Sequence, residues 1–186
     1  MNILTISGSL RSGSSNSALL DAAALLAPPV VVVDRFDGIG DLPRFNTDLD
    51  ALGAPAPVER LRDAPRAADA VLIRSPEYAH GVPGSPKNAL NWVVGSGELV
   101  DKPVGLLNAS PRATHAQASL TEILAMMSAR LVPGAILDAG IPRRDASAAE
   151  IAAVPVIAAS LTAALRSLDE AAQPTGDLPA RSSSSH

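Results

Sequence analysis

The stretch that decides the fold lies near the start of the chain and reads Ile3-Leu4-Thr5-Ile6-Ser7, followed by Gly8-Ser9-Leu10-Arg11-Ser12-Gly13-Ser14-Ser15-Asn16-Ser17. A buried strand, a loop of small hydroxylic residues and a helix, in that order, aim backbone N–H groups and a helix N-terminus at a bound anion. Gly8 and Gly13 allow the backbone to approach a ligand closely. Arg11 adds a charged partner, and further hydrogen-bonding side chains are those of Ser9, Ser14, Ser15, Asn16 and Ser17. The stretch therefore predicts a phosphate-binding loop.

Two better-known phosphate loops do not match these residues. The spacing from Gly8 to Gly13 resembles the beginning of a Walker A motif, but Ser14 stands where that motif requires lysine. The dinucleotide fingerprint G-x-G-x-x-G fails as well, because Leu10 stands at its second glycine, where the backbone must approach a pyrophosphate. A hydroxyl-rich loop with one arginine suits a terminal monophosphate better, and FMN ends in such a group. The alternative is that the Gly/Ser stretch is an ordinary turn.

Short apolar segments alternate with Ala- and Leu-rich segments along the chain, a pattern typical of repeated βα units around a parallel sheet. We expect strands at residues 3–7, 30–34, 70–74, 104–108 and 135–138. We expect helices at residues 15–27, 57–68, 85–94, 114–130 and 148–168. These elements indicate one α/β domain with a doubly wound sheet, whose ligands bind outside the carboxyl ends of the strands.

Helix boundaries and connections carry weaker signals. Ser85 before Pro86 predicts a helix N-cap, and Ser147 with Glu150 has the spacing of a capping box. Pro65 falls inside the second expected helix and weakens that prediction. A long polar connection follows the second expected strand at residues 35–57. The domain is expected to occupy residues 1–168, followed by a disordered tail at residues 169–186.

Composition excludes several classes of protein. The 186 residues include no cysteine, which excludes disulfides, thiolate zinc sites and thiol-based redox chemistry. Aromatic residues make up 2% of the chain and the formal net charge is −4, so nucleic-acid binding is not expected. No apolar run approaches the roughly 20 residues that a membrane span needs, and the first residues read as a core strand rather than a signal peptide. We expect a cytoplasmic protein with no bound metal and with neither membrane nor nucleic acid as a partner.

A second motif follows the third expected strand and reads Ser75-Pro76-Glu77-Tyr78-Ala79-His80-Gly81-Val82-Pro83-Gly84-Ser85-Pro86-Lys87-Asn88-Ala89-Leu90-Asn91-Trp92. Together with the first loop, this motif resembles the NADPH-dependent FMN reductase family, which includes quinone, chromate and azo-dye reductases. The resemblance rests on Gly8-Ser9-Leu10-Arg11, Ser14, Asn16, Pro76-Glu77-Tyr78, Pro83-Gly84, Lys87-Asn88-Ala89 and Trp92. It covers roughly residues 1–165. Two separated motifs in the right order are far more specific than either motif alone.

The resemblance implies a flavodoxin-like fold, a three-layer sandwich whose five-stranded parallel sheet has the order 2-1-3-4-5. It implies that the first loop holds the FMN phosphate through Ser9, Arg11, Ser14, Ser15, Asn16 and Ser17. It also implies that the isoalloxazine ring is lined by Pro76, Glu77 and Tyr78. NADPH or NADH would donate electrons, a quinone, free flavin or similar molecule would accept them, and the protein would form a homodimer or homotetramer. No side chain is expected to be catalytic, because the cofactor carries the chemistry.

Several residues of the second motif have a structural alternative. Trp92 is a candidate core or interface anchor, and Glu77 is a candidate turn cap. Lys87 is a candidate solvated residue of a first helical turn, and His80 is either an exposed loop residue or a ligand contact. Ala79 departs from the family, since many members carry asparagine there.

The third loop follows the fourth expected strand and reads Asn108-Ala109-Ser110-Pro111-Arg112-Ala113-Thr114-His115-Ala116-Gln117. Its position predicts that Ser110 and its neighbours face the flavin ring. Arg112 either attracts the 2′-phosphate of NADPH or is an exposed residue near a helix start. The family often has glycines in this loop, and their absence here keeps open a flavin-free regulatory protein on the same fold. An electron-carrier flavodoxin is the other alternative, although such a protein is expected to be more acidic and richer in aromatic residues.

Overall fold

Five parallel strands form one sheet in the computed structural model of the chain, which describes residues 1–11, 14–108, 110, 113–141, 143 and 145–173. The strands are β1 (Asn2–Ser7), β2 (Val32–Phe36), β3 (Ala70–Arg74), β4 (Pro103–Asn108) and β5 (Arg130–Asp138). Their order across the sheet is β2-β1-β3-β4-β5, which confirms the flavodoxin-like order. Because every neighbouring pair is parallel, the carboxyl ends of all the strands lie at one edge.

Helices cover both faces of the sheet. They are α1 (Ser15–Leu25), α2 (Thr47–Ala51), α3 (Ala56–Ala67), α4 (Gly84–Val94), α5 (Thr114–Met126), α6 (Ala148–Ala152) and α7 (Pro155–Ala172). Buried residues of α1, α6 and α7 pack together on one face of the sheet. Buried residues of α3, α4 and α5 pack together on the other face. The three-layer arrangement expected from the βα alternation is therefore present.

The central strand β3 shows why its sequence lacks an alternation of polar and apolar residues. Ala70 and Leu72 belong to the core under α1 and α7, whereas Val71 and Ile73 belong to the core under α3, α4 and α5. All of its residues are buried. A strand covered on both faces has no solvent side on which a polar residue would be favoured.

Among the element boundaries that differ from the expected ones, the start of β2 and the end of α5 have a clear backbone cause. β2 begins at Val32 rather than at residue 30, because the Val31 N–H donates to the Pro28 carbonyl at 2.8 Å in a turn that begins with two prolines. α5 ends at Met126 rather than at residue 130, and Ser128 then has a φ of +59°. A left-handed residue cannot continue a right-handed helix. Arg130 consequently begins β5, which is longer than expected.

The last expected helix is interrupted by a proline. α6 ends at Ala152, and α7 begins at Pro155. Val154 has an extended backbone, as a residue before proline prefers, so one continuous helix cannot form there. α7 continues through Ala172, so residues 169–172, which were expected to lie in the tail, are helical. Residues 174–186 lie outside the described residues.

The expected helix caps have different outcomes. The capping box of Ser147 and Glu150 is confirmed: the Ser147 N–H donates to Glu150 Oε2 at 2.8 Å, and the Glu150 N–H donates to Ser147 Oγ. The N-cap at Ser85 is wrong, because α4 begins one residue earlier, at Gly84, and follows Pro83. Pro65 lies inside α3 near its end and is buried. In the described part of the chain, no helix has both the length and the hydropathy needed to cross a membrane.

Gly105 in the middle of β4 provides a test of the sheet packing. A Cβ atom there would lie 2.8 Å from Leu72 Cδ1, 2.9 Å from Ala135 Cβ and 3.0 Å from the Ala135 carbonyl oxygen. We expect Gly105→Ala to lower the free energy of unfolding by about 1–3 kcal/mol, because a packed core accommodates an added methyl group only through strain. Chemical denaturation measures the change.

The matched control for that variant is Gly95→Ala. Gly95 lies at the C-cap of α4 with an ordinary φ of −81°, and a Cβ there would meet no atom within 4 Å. Its substitution should change the unfolding free energy by less than about 0.5 kcal/mol. Equal effects at the two glycines would contradict the packing described for β4.

Candidate functional site

The candidate site lies at the carboxyl edge of the sheet, where the loops after β1, β3 and β4 emerge. The Gly8 N–H donates to the Arg74 carbonyl at 2.6 Å, which holds the first loop against the end of β3. A Cβ atom on Gly8 would lie 2.9 Å from Ser75 Oγ and 3.0 Å from Ser75 Cα. Because backbone cannot yield as a flexible side chain can, residue 8 must lack a side chain for the two loops to meet.

Serine hydroxyls line the turn from β1 into α1. Ser14 is the N-cap of α1, and its Oγ accepts a hydrogen bond from the Ser17 N–H at 3.2 Å. Ser17 Oγ lies 3.3 Å from Ser14 Oγ and 3.4 Å from Ser7 Oγ. Ser9 Oγ accepts from the Arg11 N–H at 3.3 Å. These contacts are long for hydroxyl hydrogen bonds, so the cluster keeps capacity to bind a further group.

Arg11 is the exposed cation of this turn. Within the ranges that the structure describes, its guanidinium forms no ion pair and no side-chain hydrogen bond. The structure thus brings Ser9, Arg11, Ser14 and Ser17 together in one turn, and their role in binding a phosphate stays a prediction. The side chains of Ser15 and Asn16, like residues Ser12 and Gly13, lie outside what the structure describes.

A cavity of about 670 Å³ opens beside this turn. Its walls come from the turn, from α1, from the segment after β2 and from the start of α6, and they include Ser9, Arg11, Ser14, Ser17, Asp21, Arg35, Asp37, Asp41 and Asp145. Arg35 is held in ion pairs with Asp21 at 2.8 Å and with Asp37 at 2.6 Å. The acidic wall was not foreseen from the sequence, because its residues come from separate segments. The cavity does not reach Pro76, Glu77, Tyr78 or Ser110.

Glu77 in the second loop caps a helix. Its Oε2 accepts a hydrogen bond from the Ala116 N–H at 2.9 Å, in the first turn of α5. The residue at the N-cap position of α5 is Ala113, whose side chain has no acceptor. The carboxylate therefore satisfies an N–H group that the helix itself leaves unpaired, and it complements the positive end of the helix dipole. Glu77 was considered a candidate turn cap, and it is a cap, but of the helix α5 rather than of a turn.

A tight turn follows Glu77. The N–H and carbonyl of Tyr78 exchange hydrogen bonds with those of Gly81 at 3.1 and 3.0 Å. The residues between them, Ala79 and His80, have φ values of +49° and +57°. Positive φ at both central positions is the mark of a type I′ turn, which favours asparagine and glycine. The departure at Ala79 therefore places backbone strain in this loop, and the turn leaves the Tyr78 side chain 63% exposed.

Two histidines join the second loop to the third. The rings of His80 and His115 are stacked, with centroids 4.3 Å apart and an angle of 12° between their planes. His115 lies in the first turn of α5, one residue before the N–H that Glu77 caps. His80 was expected to be either an exposed loop residue or a ligand contact; the structure shows it exposed, with its ring stacked on that of His115. The pairing was not predictable, because the two residues are distant in sequence.

Asn108 organises the third loop. Its Oδ1 accepts from the Ser110 N–H at 3.1 Å, and its Nδ2 donates to Asp138 Oδ1 at 2.8 Å and to the Ala113 carbonyl at 3.2 Å. The Ser110 carbonyl also accepts from the Ala113 N–H at 2.9 Å. Ser110 is thus held at the carboxyl edge, where the sequence predicted it. Ala109, Pro111 and Arg112 lie outside the described residues, so the prediction for Arg112 stays open.

Trp92 is a core anchor rather than part of an open site. Its side chain is fully buried, its Nε1 donates to the Pro43 carbonyl at 2.8 Å, and its ring meets that of Phe45 edge-on at 5.1 Å. Asn88 Nδ2 donates to the same carbonyl at 2.9 Å. α4 therefore fixes the long connection between β2 and β3. Lys87 is exposed.

The cap provided by Glu77 leads to a stability prediction. We expect Glu77→Ala to lower the free energy of unfolding by about 1 kcal/mol, because it leaves an N–H of the first turn of α5 without its acceptor. Glu77→Gln, which retains an acceptor oxygen but not the charge, should lose less. Denaturation of the flavin-free chain measures both. Glu122→Ala, an exposed position on the same helix, is the control; a loss there as large as in Glu77→Ala would show that the cap is not the cause.

Comparisons with known proteins agree with this geometry. An NAD(P)H-dependent FMN reductase of Pseudomonas aeruginosa is 46% identical over 112 residues, which are 59% of this chain and 60% of that protein. A quinone reductase of Escherichia coli K12 is 37% identical over 105 residues, which are 56% of this chain and 54% of that protein. The matched region thus spans less than two thirds of either relative.

The fold comparison extends over more of the chain. The structure of a flavoenzyme NAD(P)H:(acceptor) oxidoreductase from Paracoccus denitrificans superposes with a TM-score of 0.72 at 29% identity, covering 91% of this chain and 97% of that one. The sequence model described as NADPH-dependent FMN reductase matches residues 1–142. The described site, with its serine-lined turn after β1 and the loop that begins Pro76-Glu77-Tyr78, lies within that match. The chain is therefore a member of the NADPH-dependent FMN reductase family.

Proposed function

We propose that this chain binds FMN and acts as an NAD(P)H-dependent reductase of a quinone, a free flavin or a similar small acceptor. The observation that carries the proposal is the turn between β1 and α1, where serine hydroxyls meet Arg11 at a helix N-terminus. In the described part of the chain, the Arg11 guanidinium has no ion-pair partner. The activities named for the relatives from Pseudomonas aeruginosa and Escherichia coli support the same function. The site residues assigned to the cofactor remain part of this proposal.

The donor set of the turn fits the phosphate end of FMN. A singly esterified phosphate carries close to two negative charges at neutral pH and accepts several hydrogen bonds. Ser9, Ser14 and Ser17 contribute hydroxyls, the start of α1 contributes a positive partial charge, and Arg11 contributes a full one. No lysine of a triphosphate-binding loop is present, in agreement with a monophosphate ligand. In this proposal Ser15 and Asn16 complete the set.

In this proposal, the second and third loops position the flavin ring. Bound there, FMN would supply the hydride-accepting and electron-transferring centre that the side chains lack. Pro76, Glu77, Tyr78 and Ser110 border it, and their contribution is orientation. Glu77 braces the second loop against α5 through the Ala116 N–H, and Asn108 braces Ser110. Loops held by helix caps and side-chain hydrogen bonds lose little further entropy when a ligand binds.

The same proposal extends to the location and the oligomeric state of the chain. A reductase that consumes NADPH or NADH works where those cofactors are made, so we assign the chain to the cytoplasm. We also propose a homodimer or homotetramer. Exposed apolar side chains at and after the end of α4, Val94 at 41% and Val100 at 51% exposure, are candidates for the contact.

The visible spectrum of the purified full-length chain tests the function. We expect added FMN to bind and its absorbance to bleach rapidly when NADPH is added without oxygen, because hydride transfer removes the oxidised flavin chromophore. The colour should return when a quinone is added. Repeating the experiment with NADH identifies the preferred donor.

Two other results would each favour a different function. A colourless preparation that takes up no FMN would overturn the proposal in favour of a flavin-free protein. Tight FMN binding with no bleaching by either nicotinamide would favour an electron carrier.

Arg11 offers a direct test of the phosphate loop. Arg11→Ala should weaken FMN binding by roughly tenfold or more, because a hydrogen bond to a charged group contributes about 1.5–3 kcal/mol. Titration of flavin fluorescence measures the dissociation constant. Arg166→Ala, an exposed arginine on α7, is the control and should leave the affinity unchanged. Undiminished FMN affinity in Arg11→Ala would remove the assignment of this loop.

A further inference from the structure

A buried arginine lies at the end of β3, and neither the site nor the proposed function gives it a role. Arg74 is the last residue of that strand and is only 5% exposed. Its Nε and Nη1 atoms are buried and have no hydrogen-bond partner, and no ion pair with Arg74 occurs among the described residues. Burial lowers the pKa of the Arg74 guanidinium to about 10, so the group is still charged at neutral pH. A buried charge without a partner is costly to a fold, which calls for a compensating group.

The strand register places this side chain beside the serine-lined turn. Alternate residues of β3 face opposite sides, and Ala70 and Leu72 face the core under α1, so Arg74 faces α1 as well. Its neighbour across the sheet is Ser7, whose Oγ lies 3.4 Å from Ser17 Oγ in the first turn of α1. The Arg74 carbonyl accepts the Gly8 N–H that begins the turn. The Arg74 side chain therefore leaves β3 on the α1 side of the sheet, next to the residues that begin the turn.

The charges around the turn require an anion there. The positive end of α1 and the Arg11 guanidinium repel a further cation. Arg35, the other arginine of the adjoining cavity, is already neutralised by Asp21 and Asp37. A bound water would satisfy a hydrogen bond of Arg74 but would leave its charge uncompensated. A phosphate monoester would compensate it, since Arg11 alone balances only about half of a charge close to −2.

We propose that Arg74 is a phosphate-binding residue of this site, which reaches the phosphate monoester from the sheet side while Arg11 reaches it from solvent. This inference rests on the proposed binding of FMN at the first loop and extends it to a residue outside that loop. Arg74 thereby makes the site select FMN over riboflavin, which is the same flavin without the phosphate. In the absence of the phosphate, the unpaired guanidinium destabilises the chain.

The test compares FMN and riboflavin binding to the full chain stripped of flavin. In Arg74→Met, which replaces the unbranched arginine stem and has no donors, we expect FMN affinity to fall about tenfold or more while riboflavin affinity stays unchanged. The flavin-free Arg74→Met chain should melt at a higher temperature than the flavin-free wild type, because an uncompensated buried charge has been removed. Arg74→Lys keeps the charge but loses the two-pronged donor geometry, so it should lose part of the FMN preference.

Arg62 is the matched control. It is also a buried arginine, 8% exposed, but its Nη2 lies 2.9 Å from Asp50 Oδ1 and 2.9 Å from the Trp92 carbonyl oxygen on the opposite face of the sheet. Arg62→Met should lower the melting temperature and leave the ratio of FMN to riboflavin affinity unchanged. The two arginines thus differ in the sign of the stability effect and in their effect on the ratio.

The outcomes separate this inference from the proposed function. If wild type prefers FMN and Arg11→Ala loses that preference, but Arg74→Met and Arg74→Lys keep it, the inference on Arg74 is overturned and the proposed function stands. If Arg74→Met fails to fold, Arg74→Lys decides by the same ratio. If wild type binds neither flavin, or binds both equally, the phosphate loop itself is wrong and the inference falls with it.

Discussion

The contact between Gly8 and the end of β3 is the constraint on which the site depends. The Gly8 N–H reaches the Arg74 carbonyl at 2.6 Å, and a side chain at residue 8 would run into Ser75. This contact extends the pairing of β1 with β3 by one residue past the end of β1. It also sets the direction in which the chain leaves β1, and hence where Ser14 caps α1. A larger residue would separate the first loop from the second, and the two halves of the site would no longer share an edge.

The second and third loops are braced from outside themselves. Glu77 accepts from the first turn of α5, His80 stacks on His115, and Asn108 reaches across to Asp138 on β5. These interactions position backbone that carries left-handed residues at Ala79 and His80, a conformation that costs free energy and persists only where its surroundings hold it. Among the described residues, this loop carries two adjacent left-handed residues other than glycine, whereas Asp101 before β4 and Ser128 before β5 are single ones.

Charge is distributed unevenly around the first loop. Its solvent side carries Arg11, its sheet side carries the buried Arg74, and the adjoining cavity presents carboxylates that Arg35 partly neutralises. An anion is therefore favoured within the turn and disfavoured a short distance away along the acidic wall. Such a pattern restricts where the phosphate of the proposed cofactor would lie. Backbone hydrogen bonding and side-chain charge therefore both favour an anion within the turn.

Local patterns in the sequence determined the alternation of strands and helices, the parallel sheet, the serine-rich turn with Arg11, and the capping box at Ser147 and Glu150, because each depends on residues close together in the chain. The family motifs extended this to the strand order. Tertiary structure alone decided that Glu77 caps α5, that His80 meets His115, and that two buried nitrogens of Arg74 have no hydrogen-bond partner among the described residues. It also moved the end of α5 to Met126, because a left-handed Ser128 follows in a sequence without glycine at that point. These features depend on which segments, distant in the sequence, the sheet brings to the same edge. No local pattern of residues encodes that proximity.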